Sequence, residues 1–300
     1  MIKILYTTLS LTACLGLAAC FDGAQNDTGL ISVYVTDAPV DEAAAVYVTF
    51  TAVELQHENG DLERIELDEP RQIDLLRLQG TNSERLLRDA SILAGEYEWL
   101  RLDILAEPGD MDSFVEMEDG GQHPLHLPEE YREGLKTSQG FEIAEQGILE
   151  FTVDFDLRKS LLKPNNAGDD YILRPELRLV DNDIVGTLQG RVRDDWANLD
   201  ECTPAVYLYE GHEAETGSEG SENPPLTSAL VSLNTSNGDY RYSFGFLPPG
   251  EYTAAFTCDA GWDNPIEDND IEFLMSLDVE IEEDESTEAH FENDDDNGDD

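Results

Sequence analysis

Basic charge is the scarcest property of this 300-residue chain, with 17 Lys and Arg against 67 Asp and Glu and a formal charge of −50. Only four of the bases are lysines: Lys3, Lys136, Lys159 and Lys163. A surface this anionic repels phosphate instead of displacing its counterions, which excludes nucleic acid as a partner. Histidine is also short, at five residues, and His123 and His126 flank a proline without a third ligand, the pattern of a turn or surface pair. No Cys-x-x-Cys is present, so structural zinc and thioredoxin-type redox chemistry lose their main signature. Phosphate-cradling glycine loops are missing. Thr216-Gly217-Ser218-Glu219-Gly220 lacks the first glycine of a serine-hydrolase elbow and falls in a stretch that reads as a flexible loop. Against these absences stand 40% hydrophobic residues with 11 Tyr, 11 Phe and 3 Trp, enough for packed cores in two domains.

The first residues carry an address. Lys3 precedes an apolar and hydroxylic run from Ile4 to Ala19, the layout of an export signal, and the run is too short for an ordinary membrane anchor. It closes on Leu17-Ala18-Ala19-Cys20, which resembles the lipobox of bacterial lipoproteins. That resemblance implies cleavage after residue 19, lipidation of Cys20 and a membrane partner through the acyl chains, with residues 20–28 as a tether. Leu11-Thr12-Ala13-Cys14 also fits the pattern but leaves a shorter signal; an uncleaved helix or simple secretion are the plainer alternatives. Phe21 stands where an aspartate would favour inner-membrane retention, so the cell outer membrane is the expected location. In that oxidising setting Cys202 and Cys258 are expected to form a disulfide, two buried thiols being the alternative.

Strand patterns dominate the rest of the chain. Ile31–Val35 and Ala45–Leu55 are rich in β-branched and aromatic residues and read as paired strands. His57–Asp61 reads as a turn because Asn59-Gly60 readily takes positive φ, with Leu62–Leu67 as the return strand. From Asp74 to Arg88 the leucine spacing changes and fits short helical turns. Phe151-Thr152-Val153-Asp154-Phe155-Asp156-Leu157 alternates strictly, placing four apolar side chains on one face.

Thr36-Asp37-Ala38-Pro39, Val46–Phe50, Ile73-Asp74-Leu75-Leu76, Asp154–Ser160 and Leu173-Arg174-Pro175 together resemble the domain-of-unknown-function family 4382 over residues 29–182. The resemblance implies an envelope lipoprotein β-sandwich and supplies no activity. Residues 184–292 give six or seven short strands at sandwich spacing. There, Tyr242–Tyr252, with its Pro248-Pro249-Gly250 turn, is similar to transthyretin-like, carboxypeptidase-regulatory-type domains, which belong to the carbohydrate-binding-like sandwiches. Residues 213–225 read as a long loop, and residues 293–300 as an acidic, disordered tail.

Asp154 and Asp156 share a strand face about 6.6 Å apart along the backbone, which invites comparison with glycosidase carboxylate pairs. Arg158 close by favours a plainer reading as an internally paired polar face that orders the loop after Lys159. Asp181 with Asp183, and Asp268 with Asp270, have the alternation of calcium loops without the glycine and glutamate of an EF-hand, so calcium binding there is at most weak. Trp262 and Trp196 are candidate glycan-stacking platforms, whereas Trp99 is expected in the core. From Asp194 onward 30 acids face one base, Arg241, which points to a marine or halophilic setting where salt screens the surface. The sequence therefore reads as an all-β, lipid-tethered protein of two tandem sandwiches, a non-catalytic module for carbohydrate or another envelope component, with no resident cofactor. A glycan hydrolase using Asp154 and Asp156 and a passive acidic spacer are the competing readings.

Overall fold

The computed structural model describes residues 28–38, 43–163, 170–174 and 176–292. The expected signal sequence, the expected lipidation site Cys20, the expected tether up to residue 27 and the acidic residues 293–300 lie outside the described residues. Among the described residues no helix is long and apolar enough to cross a membrane. Four sheets stack as two pairs, each pair closing on its own core.

In the first pair a four-stranded sheet runs in the order Leu177–Asp181, Ile148–Asp156, Thr28–Ala38, Glu84–Leu93. It covers a nine-stranded sheet built around Ala43–His57. The two N-terminal strands, expected to pair, instead lie in different sheets. Thr28–Ala38 runs parallel to Ile148–Asp156, with Val33 opposite Phe151 and Val35 opposite Val153. Both N-terminal strands carry valines inward, and facing one another across a core buries those valines as well as lying side by side. The apolar pattern alone does not choose.

Within Ala43–His57 the side chains with no exposure at all are Val46, Val48 and Phe50, then Val53 and Leu55. The change of parity falls at a register shift between Phe50 and Ala52, a bulge that keeps both halves facing inward. A second shift, at Gln56 and His57 opposite Tyr97 and Trp99, leaves Tyr97 and Leu100 buried while Trp99 is only half-buried. Trp99 is therefore not a core residue: Arg101 and Lys136 lie 5.1 and 5.0 Å from its ring. Leu75–Leu78 forms the expected helical turn, but Glu84–Leu93, read as part of the same region, is a strand antiparallel to Thr28–Ala38. Bulges there bury the adjacent Leu86 and Leu87 together, which breaks the alternation a strand normally shows.

The alternating strand behaves as its pattern dictates, with Phe151, Val153, Phe155 and Leu157 all buried. Phe155 meets Phe50 of the opposite sheet edge-on at 6.1 Å. Burial of four such side chains contributes about 6–12 kcal/mol before chain entropy is set against it. Its other face is covered too: Thr152 is fully buried and bonds Asn182 at 2.8 Å, and Asp154 is nearly so.

The second pair consists of Ser232–Leu233, Tyr240–Leu247, Gly186–Val192 and Ser286–Glu288 against Thr227–Leu230, Ala205–Glu210, Gly250–Thr257 and Phe273–Ile281. Phe244, Phe256 and Phe291 fill the space between them. Ala205–Glu210 is buried on both faces: Val206 and Leu208 point to this core, whereas Ala205, Tyr207 and Tyr209 form a second cluster with Ala255 and Ala260. The segment expected as a flexible loop closes over that second cluster. Tyr209 donates to the Gly217 carbonyl at 2.6 Å, and Ser218 and Glu219 are buried. Its Gly, Ser and Glu content signals solvent, yet its backbone is anchored by buried hydroxyls.

Candidate functional site at the domain junction

The two sandwiches meet where the signature strand ends. Asp156 caps the Leu157–Ser160 turn by accepting the Lys159 N–H at 3.2 Å, and the turn presents Arg158 and Lys159 to the second domain. Arg158 Nη1 donates to the Ala260 carbonyl at 2.8 Å. Lys159 Nζ donates to the Pro225 carbonyl at 2.7 Å and lies 3.1 Å from Asp156 and 3.3 Å from Glu219. On the neighbouring edge Gly80 and Gly245 pack backbone to backbone; a Cβ on Gly245 would stand 2.4 Å from the Gly80 carbonyl oxygen.

The junction is crowded with carboxylates. Asp154 pairs with Arg178, directly opposite it in the sheet, at 2.6 Å, and not with Arg158 as the sequence implied. Burial outweighs that pairing and holds the Asp154 carboxyl above its ordinary range. Burial also pushes Asp37 well up, with the charges of Asp154 and Asp156 adding to it. Neither Asp37 oxygen has a well-formed hydrogen bond. Burial, then the charge of Asp156, raises Glu219 to about 7 against the pull of Lys159 and Arg158. Burial alone would lower the Lys159 ammonium, but Asp156 and Glu219 together keep it above its usual value. A cleft of about 350 Å³ opens beside this cluster, with Asp37, Asp154 and Arg178 on one wall and Gln189, Ser228 and Ser243 on the other.

Trp262 rises from the same junction. It is 69% exposed, on the Ala260–Trp262 turn. Four contacts clamp that turn: Arg158 on Ala260; the Cys202–Cys258 disulfide just before it; the Thr203 hydroxyl against Gly261; and Asp263, which accepts from Tyr207 at 2.8 Å and from the Glu219 N–H at 3.0 Å. Trp196, the other candidate platform, is otherwise occupied: one face stacks on Phe256 at 6.0 Å and Arg193 lies 5.3 Å from its ring. A tryptophan whose faces are covered by core and by cation offers no free stacking surface, so Trp196 is structural.

Asp154 and Asp156 are brought to one place but are committed separately, one to Arg178 and the other to the turn cap and Lys159. Asp181 accepts the Asp183 N–H in a turn cap, and Asp268 lies 3.3 Å from the Ser218 hydroxyl. Among the described residues no group of three or more Asp, Glu, His or Cys is arranged to hold a metal. Sequence reasoning missed Glu219, Asp37 and Arg178. The even spacing of Asp154, Asp156 and Arg158 pointed to the strand, but nothing local signals that Glu219 crosses to Lys159.

Fold and junction define a disulfide-braced, all-β protein of two sandwiches joined by a buried charge cluster. Residues 28–175 match the domain of unknown function DUF4382. That segment contains the strand and turn that dock on the second sandwich. No curated protein matches the chain. Among solved structures it is similar to the Bacillus anthracis TIE protein, at 13% identity and a TM-score of 0.21 over 88% of this chain. This chain spans about a third, 34%, of that protein. The Bacillus cereus major pilin subunit BcpA aligns at 10% identity and a TM-score of 0.20, over 88% of this chain and 98% of that one. GBS52, the minor pilin of Streptococcus agalactiae, aligns at 8% identity and a TM-score of 0.20, over 86% and 93%. At these scores the likeness carries no functional information.

Proposed function

We propose that the mature chain is a non-catalytic binding module of the cell envelope, tethered to the outer membrane through Cys20, that presents Trp262 as a stacking platform for carbohydrate. One observation carries the reading: a large indole is exposed on a turn that the molecule clamps from both domains. An exposed tryptophan forfeits roughly 1.5–3 kcal/mol of burial, and rigid display lowers the entropy lost when a ring stacks on it. Sugar rings suit such a face because their C–H surfaces stack on indole. The similarity of Tyr242–Tyr252 to carbohydrate-binding-like sandwiches supports the same class. The separate commitments of Asp154 and Asp156 weigh against a hydrolase.

A glycan array probed with the soluble portion, followed by titration of the leading sugars against indole fluorescence, tests this. Binding is expected, with a loss of at least tenfold in Trp262→Ala and none in Trp196→Phe. Absence of binding across the array, or binding unaffected by Trp262→Ala, would overturn it.

A further inference from the structure

The junction holds five carboxyl groups, Asp37, Asp154, Asp156, Glu219 and Asp263, beside three bases, Arg158, Lys159 and Arg178. Arg178 is engaged by Asp154, and Lys159 bridges Asp156 of the first domain and Glu219 of the second. Glu219 is 5% exposed, and neither of its oxygens completes a hydrogen bond of good geometry. The groups that face it are Lys159, Arg158 and Asp156 from the docking turn and its cap, Asp263 after the Trp262 turn, and Tyr207 and Tyr209 from the strand beneath. Its own loop is the lid over that strand. Separating the domains would take Glu219 from this setting into water, where a carboxyl is fully solvated.

We infer that the contact of Glu219 with Lys159 is a proton-tightened latch: protonated Glu219 holds the second domain closed on the first, and its ionisation loosens the junction. The direction follows from linkage. Glu219 ionises near 7 in the closed junction and at an ordinary glutamate value once exposed, so the closed form binds the proton more tightly. Closure is therefore at full strength below the ordinary glutamate value and weakens as pH rises from there to 7. Asp37, Asp154 and Asp263 are also raised chiefly by burial, but Asp154 keeps Arg178, Asp37 keeps its neighbours Asp154, Asp156 and Asp74, and Asp263 keeps Tyr207, each within its own domain, so the opening is linked to the one proton of Glu219. Acid unfolding through salt-bridged carboxylates has the opposite sign, which makes the prediction distinctive. The loosened state widens the cleft between Asp37 and Ser243 and frees the Ala260 anchor of the Trp262 turn, which Arg158 supplies from the first domain.

Hydrogen exchange of the intact soluble chain, corrected for the intrinsic pH dependence of exchange, reads the latch directly. The opening constant for segments 157–161 and 215–222 should rise about tenfold per pH unit between roughly 4.5 and 7 and level off above that, for one proton. Segment 46–55, in the first core, should not follow. Glu219→Gln, which mimics the protonated group, should flatten the profile and keep both segments protected at pH 8. Lys159→Met removes the cation that favours ionised Glu219, so the levelling point should move above 7. A junction that loosens on acidification, a flat wild-type profile, or an unchanged profile in Glu219→Gln would overturn the inference. The latch stands on contacts between the domains and not on carbohydrate binding, so either reading can fail while the other survives.

Discussion

Reduction of the Cys202–Cys258 bond should unhinge the second sandwich far more than the first. The bond closes a loop with a sequence separation of 56, which contains Ala205–Glu210, Thr227–Leu230, Tyr240–Leu247 and Gly250–Thr257. Loop-closure entropy for a ring of this length amounts to about 4 kcal/mol at room temperature. The loop holds much of one sheet and the longest strand of the other, so the restriction falls on the unfolded ensemble of one domain. For a domain near a hundred residues each kcal/mol moves the midpoint by roughly 4–8 °C, so the second transition should fall by about 15–30 °C. Differential scanning calorimetry with and without a phosphine reductant measures this, and the double variant Cys202→Ser/Cys258→Ser should reproduce the reduced curve. A drop of less than about 5 °C, or an equal drop in the transition of the first sandwich, would refute the reasoning.

Packing and charge set three further outcomes. Phe155→Ala removes a fully buried ring that meets Phe50 across the first core, and should destabilise that sandwich by about 3–5 kcal/mol in urea titration while leaving the second unchanged. Gly245→Ala places a methyl 2.4 Å from the Gly80 carbonyl oxygen, so it should wedge the domains apart: exchange at segments 78–82 and 157–161 should rise with both cores intact. The net charge of −50 should make stability depend on salt, with the urea midpoint higher in ~0.5 M sodium chloride than in salt-free, chelator-treated buffer as screening shortens to a few ångström. Equal midpoints in the two buffers would remove the halophilic interpretation of the acidic surface.

The sequence by itself determined the local choices. Alternation in Phe151–Leu157, the Asn59-Gly60 turn, the strand spacing after residue 184 and the Cys202–Cys258 pair are all legible because each rests on side-chain periodicity, turn chemistry or redox setting over a short range. What only the tertiary structure decided is which faces meet. The parallel pairing of Thr28–Ala38 with Ile148–Asp156 joins segments more than a hundred residues apart, and inward valines fit either sheet equally well. Bulges at Phe50 and at Tyr97 change the parity of buried residues and send Trp99 outward, which strict alternation does not anticipate. Glu219 sits in a stretch whose composition signals solvent, yet Tyr209, Asp263 and Lys159, the last from the other domain, draw it inside. Burial and partnership of charge are properties of a three-dimensional neighbourhood, and here that neighbourhood exists only once two independently patterned sandwiches have docked.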